Sequence, residues 1–108
     1  MRSSKGKKRK RLNGKAGKTE QKTKSFTVTN KLGFHLRVAS LLVQTADQFS
    51  SEVYLIKDGS TVSGKSITEI LSLGAVTGSR ITVTTKGPDA SSAMEALEKL
   101  FVDNFGEE

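Results

Sequence analysis

The sequence has no cysteine and no tryptophan, one proline, one tyrosine and one histidine. Without cysteine there is no disulfide, no thiolate nucleophile and no cysteine-held metal. A lone histidine with no clustered carboxylates supplies too few ligands for zinc, so no metal and no cofactor is expected. No apolar run approaches the roughly 18 residues that a membrane span needs. The basic start is not followed by the apolar stretch of about 7–15 residues typical of a secretory signal. The expectation is therefore no membrane insertion and a cytoplasmic location.

Apolar residues are also scarce, at 34% of 108. The shortage is local. Residues 1–24 hold 11 of the 18 Lys and Arg and one acid, Glu20, for a net +10, whereas residues 25–108 carry −3. The strongly basic character thus belongs to an extension, MRSSKGKKRKRLNGKAGKTEQKTK, that has no hydrophobic period. Such a segment buries too little to offset its ordering entropy, and residues 1–24 are expected to be a disordered basic tail. It could bind nucleic acid weakly, with strong salt dependence and no sequence preference. No aromatic residue interleaves its charges to stack on bases, so nucleic acid is not expected as a partner beyond that. Residues 25–108 suffice for one domain with a modest core.

Within that domain, Ser25–Asn30 alternates and reads as a strand, with Phe26 and Val28 on one face. Gly33 marks a loop. Ala39, Leu42, Val43, Ala46 and Phe49 recur at spacings of three and four, predicting an amphipathic helix whose first turn begins around His35. Glu52–Lys57 and Ser60–Ser63 flank Asp58-Gly59, a pair suited to a tight type I′ hairpin. Ser66–Leu73 reads as a short helix, capped by Ser66 with Glu69 at capping-box spacing, and Gly74 as its stop. Arg80–Thr85 alternates as a strand. After Gly87-Pro88-Asp89, a last helix carries Ala90, Ala93, Met94, Leu97, Leu100 and Phe101. The order β-α-β-β-α-β-α indicates an α+β domain, with one sheet covered on one face by helices. The pattern alone leaves the strand pairing open.

His35 lies where a glycine loop meets a helix start. The first backbone N–H groups of a helix lack internal partners and carry partial positive charge, which suits a phosphoryl dianion. Arg37 adds a guanidinium able to chelate phosphate oxygens. The same field favours the uncharged imidazole, whose lone pair can attack phosphorus. From the residues alone, His35 reads either as a phosphoryl acceptor or as a plain surface cap.

The segment Gly33-Phe34-His35-Leu36-Arg37-Val38-Ala39 resembles the active-centre signature of the HPr family, the phosphocarriers of the sugar phosphotransferase system. The likeness continues through Leu42-Val43-Gln44-Thr45-Ala46, Gly64-Lys65-Ser66-Ile67, Ser72-Leu73-Gly74, Gly87-Pro88-Asp89 and the ending Phe105-Gly106-Glu107-Glu108. It implies an open-faced β-sandwich: a four-stranded antiparallel sheet in the order 1-4-2-3 with three helices on one face. It implies that His35 accepts a phosphoryl group on Nδ1 from phosphorylated Enzyme I, that Arg37 stabilises it, and that it passes to a IIA-type protein. The chain would be a carrier rather than a stand-alone enzyme, without metal or cofactor, and a monomer.

The resemblance further implies that Ser66 is a regulatory phosphorylation site for HPr kinase/phosphorylase, although a helix cap alone would explain a serine there. It implies that Phe34, Ile67, Thr68 and Leu71 contribute to partner docking. An alternative within the resemblance is a regulatory binding module controlled through Ser66, acting in carbon regulation without sugar transport. The chain departs from the family pattern at Val38, where proline is usual, and at Leu36, where a small residue is usual and a larger one could crowd the ring. Thr68 replaces a frequent Met or Phe, and Gln44, Asp47 and Glu69 stand where some members carry lysine.

Overall fold

The computed structural model describes residues 19–107. Four strands, β1 (Glu20–Thr27), β2 (Glu52–Lys57), β3 (Ser60–Ser63) and β4 (Arg80–Gly87), form one antiparallel sheet in the order β1-β4-β2-β3. Three helices, α1 (Leu36–Ala46), α2 (Ile67–Ser72) and α3 (Ala90–Val102), are followed by a 3-10 turn at Asn104–Gly106. The element order matches the pattern of the sequence, and the α+β open-faced sandwich with its strand order is the one that the family resemblance implies.

Alternation explains the two faces of the sheet. On the central strand β4, Ile81, Val83 and Thr85 are buried beneath the helices, while Arg80, Thr82, Thr84 and Lys86 lie on the uncovered face. Val53 and Leu55 of β2 extend the covered face. Helix α1 lays Val38, Ala39, Leu42 and Ala46 on it, and α3 lays Ala90, Ala93, Met94, Leu97 and Phe101. Phe49, expected on the α1 stripe, lies beyond the helix end and is half-buried. Asp58 (φ 51°) and Gly59 (φ 84°) both adopt the left-handed conformation that a type I′ turn requires, joining β2 to β3 as expected.

Strand β1 requires a correction. It spans Glu20–Thr27 rather than residues 25–30, so residues 20–24 of the expected disordered tail are strand. Residues 1–18 lie outside the described residues. No hydrophobic signal marks Glu20–Lys24, because all five side chains are exposed. They are held by the ladder to β4, from Glu20 opposite Gly87 to Thr27 opposite Arg80, and by an ion pair of 2.8 Å between Lys24 and Glu98. At the other end, Val28–Asn30 leave the ladder. Val28 is buried and its backbone bonds Ser79 and Gly78 instead.

Leu42 is 1% exposed and fastens α1 to the sheet. Leu42→Ala is expected to lower stability by about 3 kcal/mol through lost burial and the cavity left behind. Urea denaturation at neutral pH checks this.

Candidate functional site

The site is assembled by the loop between β1 and α1. Gly33 has φ 67°, and a Cβ there would sit 2.5 Å from the Ala75 carbonyl oxygen, so both backbone conformation and space demand glycine. The next residue, Phe34, donates its N–H to that same oxygen at 2.9 Å. Its ring is 6% exposed and packs against Phe101 and Phe105, with the Phe105 ring edge-on at 5.9 Å between centroids. The expectation that Phe34 presents a docking surface is therefore corrected. It is an aromatic anchor that fixes the loop from below.

With the loop held, His35 becomes the N-cap of α1 in extended backbone conformation (φ −84°, ψ 179°). The Ala39 N–H closes on the His35 carbonyl at 3.0 Å, so the amides of Leu36, Arg37 and Val38 precede the helical ladder and carry the positive end of the helix. Helix α1 has no acidic residue in its first turn to offset that charge. Val38 is fully buried, and its β-branched side chain is packed into the core. Leu36 points the other way and is 62% exposed.

The side chain of His35 does not cap its helix. Its Nε2 meets the Glu107 carboxylate oxygen Oε2 at 2.6 Å. An ionised carboxylate only accepts, so Nε2 carries the proton and, in the neutral ring, Nδ1 keeps the lone pair. Arg37 donates to the same Oε2 from Nη2 at 2.5 Å and from Nε at 3.2 Å, and Nη2 also reaches the Phe105 carbonyl at 2.8 Å. The other oxygen, Oε1, accepts from the side-chain amide of Asn30 at 2.9 Å. Asn30 is fully buried and its amide also donates to the Gly33 carbonyl at 2.8 Å. Loop, ring, guanidinium and C-terminal segment thus converge on one carboxylate.

Two residues in this cluster were not singled out by sequence reasoning. Glu107 figured only as part of a matching ending, and Asn30 only as the end of a strand. Glu107 lies 72 positions from His35, and what brings it back is the kink after α3. Asn104 (φ 56°) and Phe105 (φ 55°) both take the left-handed conformation, which side chains other than glycine adopt at a cost of the order of 1 kcal/mol each. That turn buries Phe105 and aims Glu107 at the ring. A run of Asp-Asn-Phe-Gly after a long helix is a detectable turn signal, but nothing local says where it leads.

On α2, Ser66 is the N-cap, and its hydroxyl accepts from the Glu69 N–H at 3.3 Å. The expected capping box is only half formed. The Glu69 carboxylate bonds the Ser63 N–H at 2.9 Å, because the Ser66 N–H is already turned toward the Ser63 carbonyl. Thr68 is exposed, Leu71 is 37% exposed, and Ile67 is half-buried against the core. These three of the expected docking residues therefore do reach the surface of a helix packed on α1. Leu32 (69%) and Val76 (61%) add exposed apolar surface beside the loop, Val76 next to Gly33.

The guanidinium of Arg37, the amide of Asn30 and the ring of His35 hold the Glu107 carboxyl down at about 2, against an opposing push from burial. A lowered folded-state value means that this carboxylate stabilises the native state above about pH 4.5 and loses its contribution as pH falls toward about 2. In acid titrations, the protein is accordingly expected to be more stable than its Glu107→Gln variant near neutrality. The difference should close between about pH 4.5 and 2 when both are followed by urea midpoint.

Comparison with known proteins bears on the same region. A family model described as "PTS HPr component phosphorylation site" matches residues 22–103. The phosphocarrier protein HPr of Neisseria meningitidis serogroup A is 45% identical over 83 residues, covering 77% of this chain and 93% of the relative. Among solved structures, HPr from Thermoanaerobacter tengcongensis superposes with a TM-score of 0.78 at 41% identity, covering 81% of this chain and 98% of the other. The Bacillus subtilis catabolite repression HPr, Crh, superposes with a TM-score of 0.56 at 38% identity, covering 73% of this chain and 94% of that one.

Proposed function

The chain belongs to the HPr family of phosphocarriers, and from that premise we propose that it accepts a phosphoryl group on Nδ1 of His35 from phosphorylated Enzyme I and passes it to a IIA-type protein. The observation that carries this reading is the pairing of His35 Nε2 with Glu107, which leaves Nδ1 as the nucleophilic nitrogen of the neutral ring. The neighbouring first-turn amides of α1 and the Arg37 guanidinium supply positive charge for the phosphoryl oxygens.

The transfer is a displacement at phosphorus. The Nδ1 lone pair forms the new N–P bond while the bond from phosphorus to the donor breaks, and the donor keeps that electron pair. The protein's part is positioning and electrostatics. Partners would dock over the exposed residues of α2 and the loop, namely Thr68, Leu71, Leu36, Leu32 and Val76, with Ile67 at the margin. The apolar members of this set offer desolvated contact around a polar centre. Among the described residues no helix is long and apolar enough to cross a membrane. The reading places the carrier in the cytoplasm, beside its phosphoryl donor.

A second reading is supported by the likeness to the catabolite repression HPr and by the position of Ser66. Phosphorylation of Ser66 by an HPr kinase/phosphorylase would put a dianion at the start of α2, where the helix tolerates it, and beside an apolar docking surface, where it would repel partners that bury that surface. The chain would then act in carbon regulation.

Incubation with Enzyme I and phosphoenolpyruvate is expected to add one phosphate that is labile in acid and stable in base, and His35→Ala is expected to abolish it. Mass measurement of the intact protein reads this, and phosphate persisting in the alanine variant would remove His35 as acceptor. For the second reading, Ser66→Ala is expected to leave His35 phosphorylation unchanged, whereas Ser66→Asp lowers the rate of phosphorylation by Enzyme I by about tenfold, the scale of one misplaced charge at an interface. An unchanged rate in Ser66→Asp would separate Ser66 from the docking surface.

A further inference from the structure

Helix α1 begins at the ring and runs away from it, and its outer side is polarised along that direction. Arg37, Ser40, Gln44 and Asp47 recur three and four residues apart, turned away from the buried Val38, Ala39, Leu42 and Ala46. Arg37, Gln44 and Asp47 are exposed, and Ser40 is half-buried. The stripe starts with a cation and ends with an anion.

The backbone carries the same polarity. No acidic residue stands in the first turn of α1 and no basic residue in its last, so neither end of the helix dipole is offset from within the helix. Asp47 caps the end where partial negative charge already gathers, with its N–H bonded to the Val43 carbonyl at 2.8 Å. An acid there opposes the helix, and a lysine would favour it. Lys65 bonds the Phe49 carbonyl beyond this end at 2.9 Å, but among the described residues neither it nor any other cation is ion-paired with Asp47. Glu69, the acid of α2, differs: its carboxylate accepts from the Ser63 N–H at 2.9 Å, so the fold accounts for it. Asp47 has no such explanation in the packing of the domain.

We propose that Asp47 is an orienting contact for the phosphoryl donor: the donor protein lies along α1 with its anionic phosphoryl group over His35 and a lysine or arginine over Asp47. This rests on the carrier reading above and goes on to name the chemistry of the partner's face. Helix α1 has 11 residues and is about 16 Å long. An interface of about 800 Å² on each side is about 30 Å across, so one partner covers both ends. Leu36 and Leu71, exposed on α1 and on the neighbouring α2, add apolar contact that gives affinity but no direction. The two opposite charges supply the direction. Turned end for end, the same partner sets its phosphoryl dianion against Asp47 and its cation against Arg37, and like-charge contacts of that kind suppress wrong docking.

The test measures phosphorylation of the full chain by phosphorylated Enzyme I, for wild type, Asp47→Asn and Asp47→Lys, over a range of salt concentrations. Wild type is expected to slow as salt rises, because screening weakens the pairing. At low salt Asp47→Asn is expected to raise KM about threefold and Asp47→Lys about tenfold, with kcat unchanged, and added salt should narrow both gaps. Asp47→Lys is expected to melt no lower than wild type, since its charge suits the helix end, so its slower transfer is not a failure to fold. Phosphoramidate, which docks on no surface, is expected to load all three proteins at one rate. Slow loading of Asp47→Lys there would overturn the proposal by placing the defect in the ring. An equal or lower KM for Asp47→Lys with Enzyme I also overturns it, a lower one meaning that the partner is acidic at this place. A wild-type chain that takes phosphate from phosphoramidate but not from Enzyme I defeats the carrier reading, and this proposal with it. Transfer from Enzyme I that is indifferent to both substitutions defeats the proposal alone.

Discussion

One carboxylate organises the functional end of this molecule. Glu107 joins the loop through Asn30, the start of α1 through Arg37 and the imidazole through Nε2. A single anion can do this because a carboxylate oxygen can accept several hydrogen bonds, as Oε2 does here, and each partner is a donor. Remove it and three consequences follow at once. The ring is free to change tautomer, the guanidinium keeps among the described residues the Phe105 carbonyl, and the buried Asn30 amide loses a partner in a setting where water is excluded. Tertiary structure, not helix geometry alone, therefore sets the chemistry of His35.

The fold was legible because its elements announce themselves locally. The stripes of α1 and α3, the alternation of β4 and the Asp58-Gly59 pair each state their conformation within a few residues, and the strand order came through resemblance rather than pattern. What escaped was structure without a hydrophobic signature. The first half of β1 is polar on both sides and exists only because β4 offers it a ladder. The site divides the same way. His35 and Arg37 were visible because a glycine loop and a helix start lie beside them in the chain. Glu107 and Asn30 were not, because their roles arise from a contact that closes over most of the domain. Phe34 was misassigned to the surface for a related reason: a single aromatic beside an active residue has no periodicity to show that it points inward, and only the rings of Phe101 and Phe105 reveal it.

Helix α2 and the ring loop meet on one side of the sandwich, so the two proposed sites, His35 and Ser66, lie on neighbouring elements. Ser66 opens α2, and α2 packs on α1, whose first residue follows His35. Charge added at Ser66 would alter the rim of the apolar surface without touching the imidazole. On the proposed reading, chemistry at the ring and access to the ring would be separable by mutation, since they belong to different elements joined by a packed helix pair.

The uncovered sheet face and its outer strand carry a quieter consequence. Among the described residues, strand β1 is an edge strand of eight residues, the sort of border onto which another chain could add itself. Here it is bordered by Lys22 and Lys24, and its outward rows are hydroxyls paired with hydroxyls, Thr23 with Thr84 and Ser25 with Thr82. Most of its side chains are polar, and one of the two lysines, Lys24, is already paired with Glu98. Such a border offers an arriving strand charge and hydroxyl groups in place of an apolar seam.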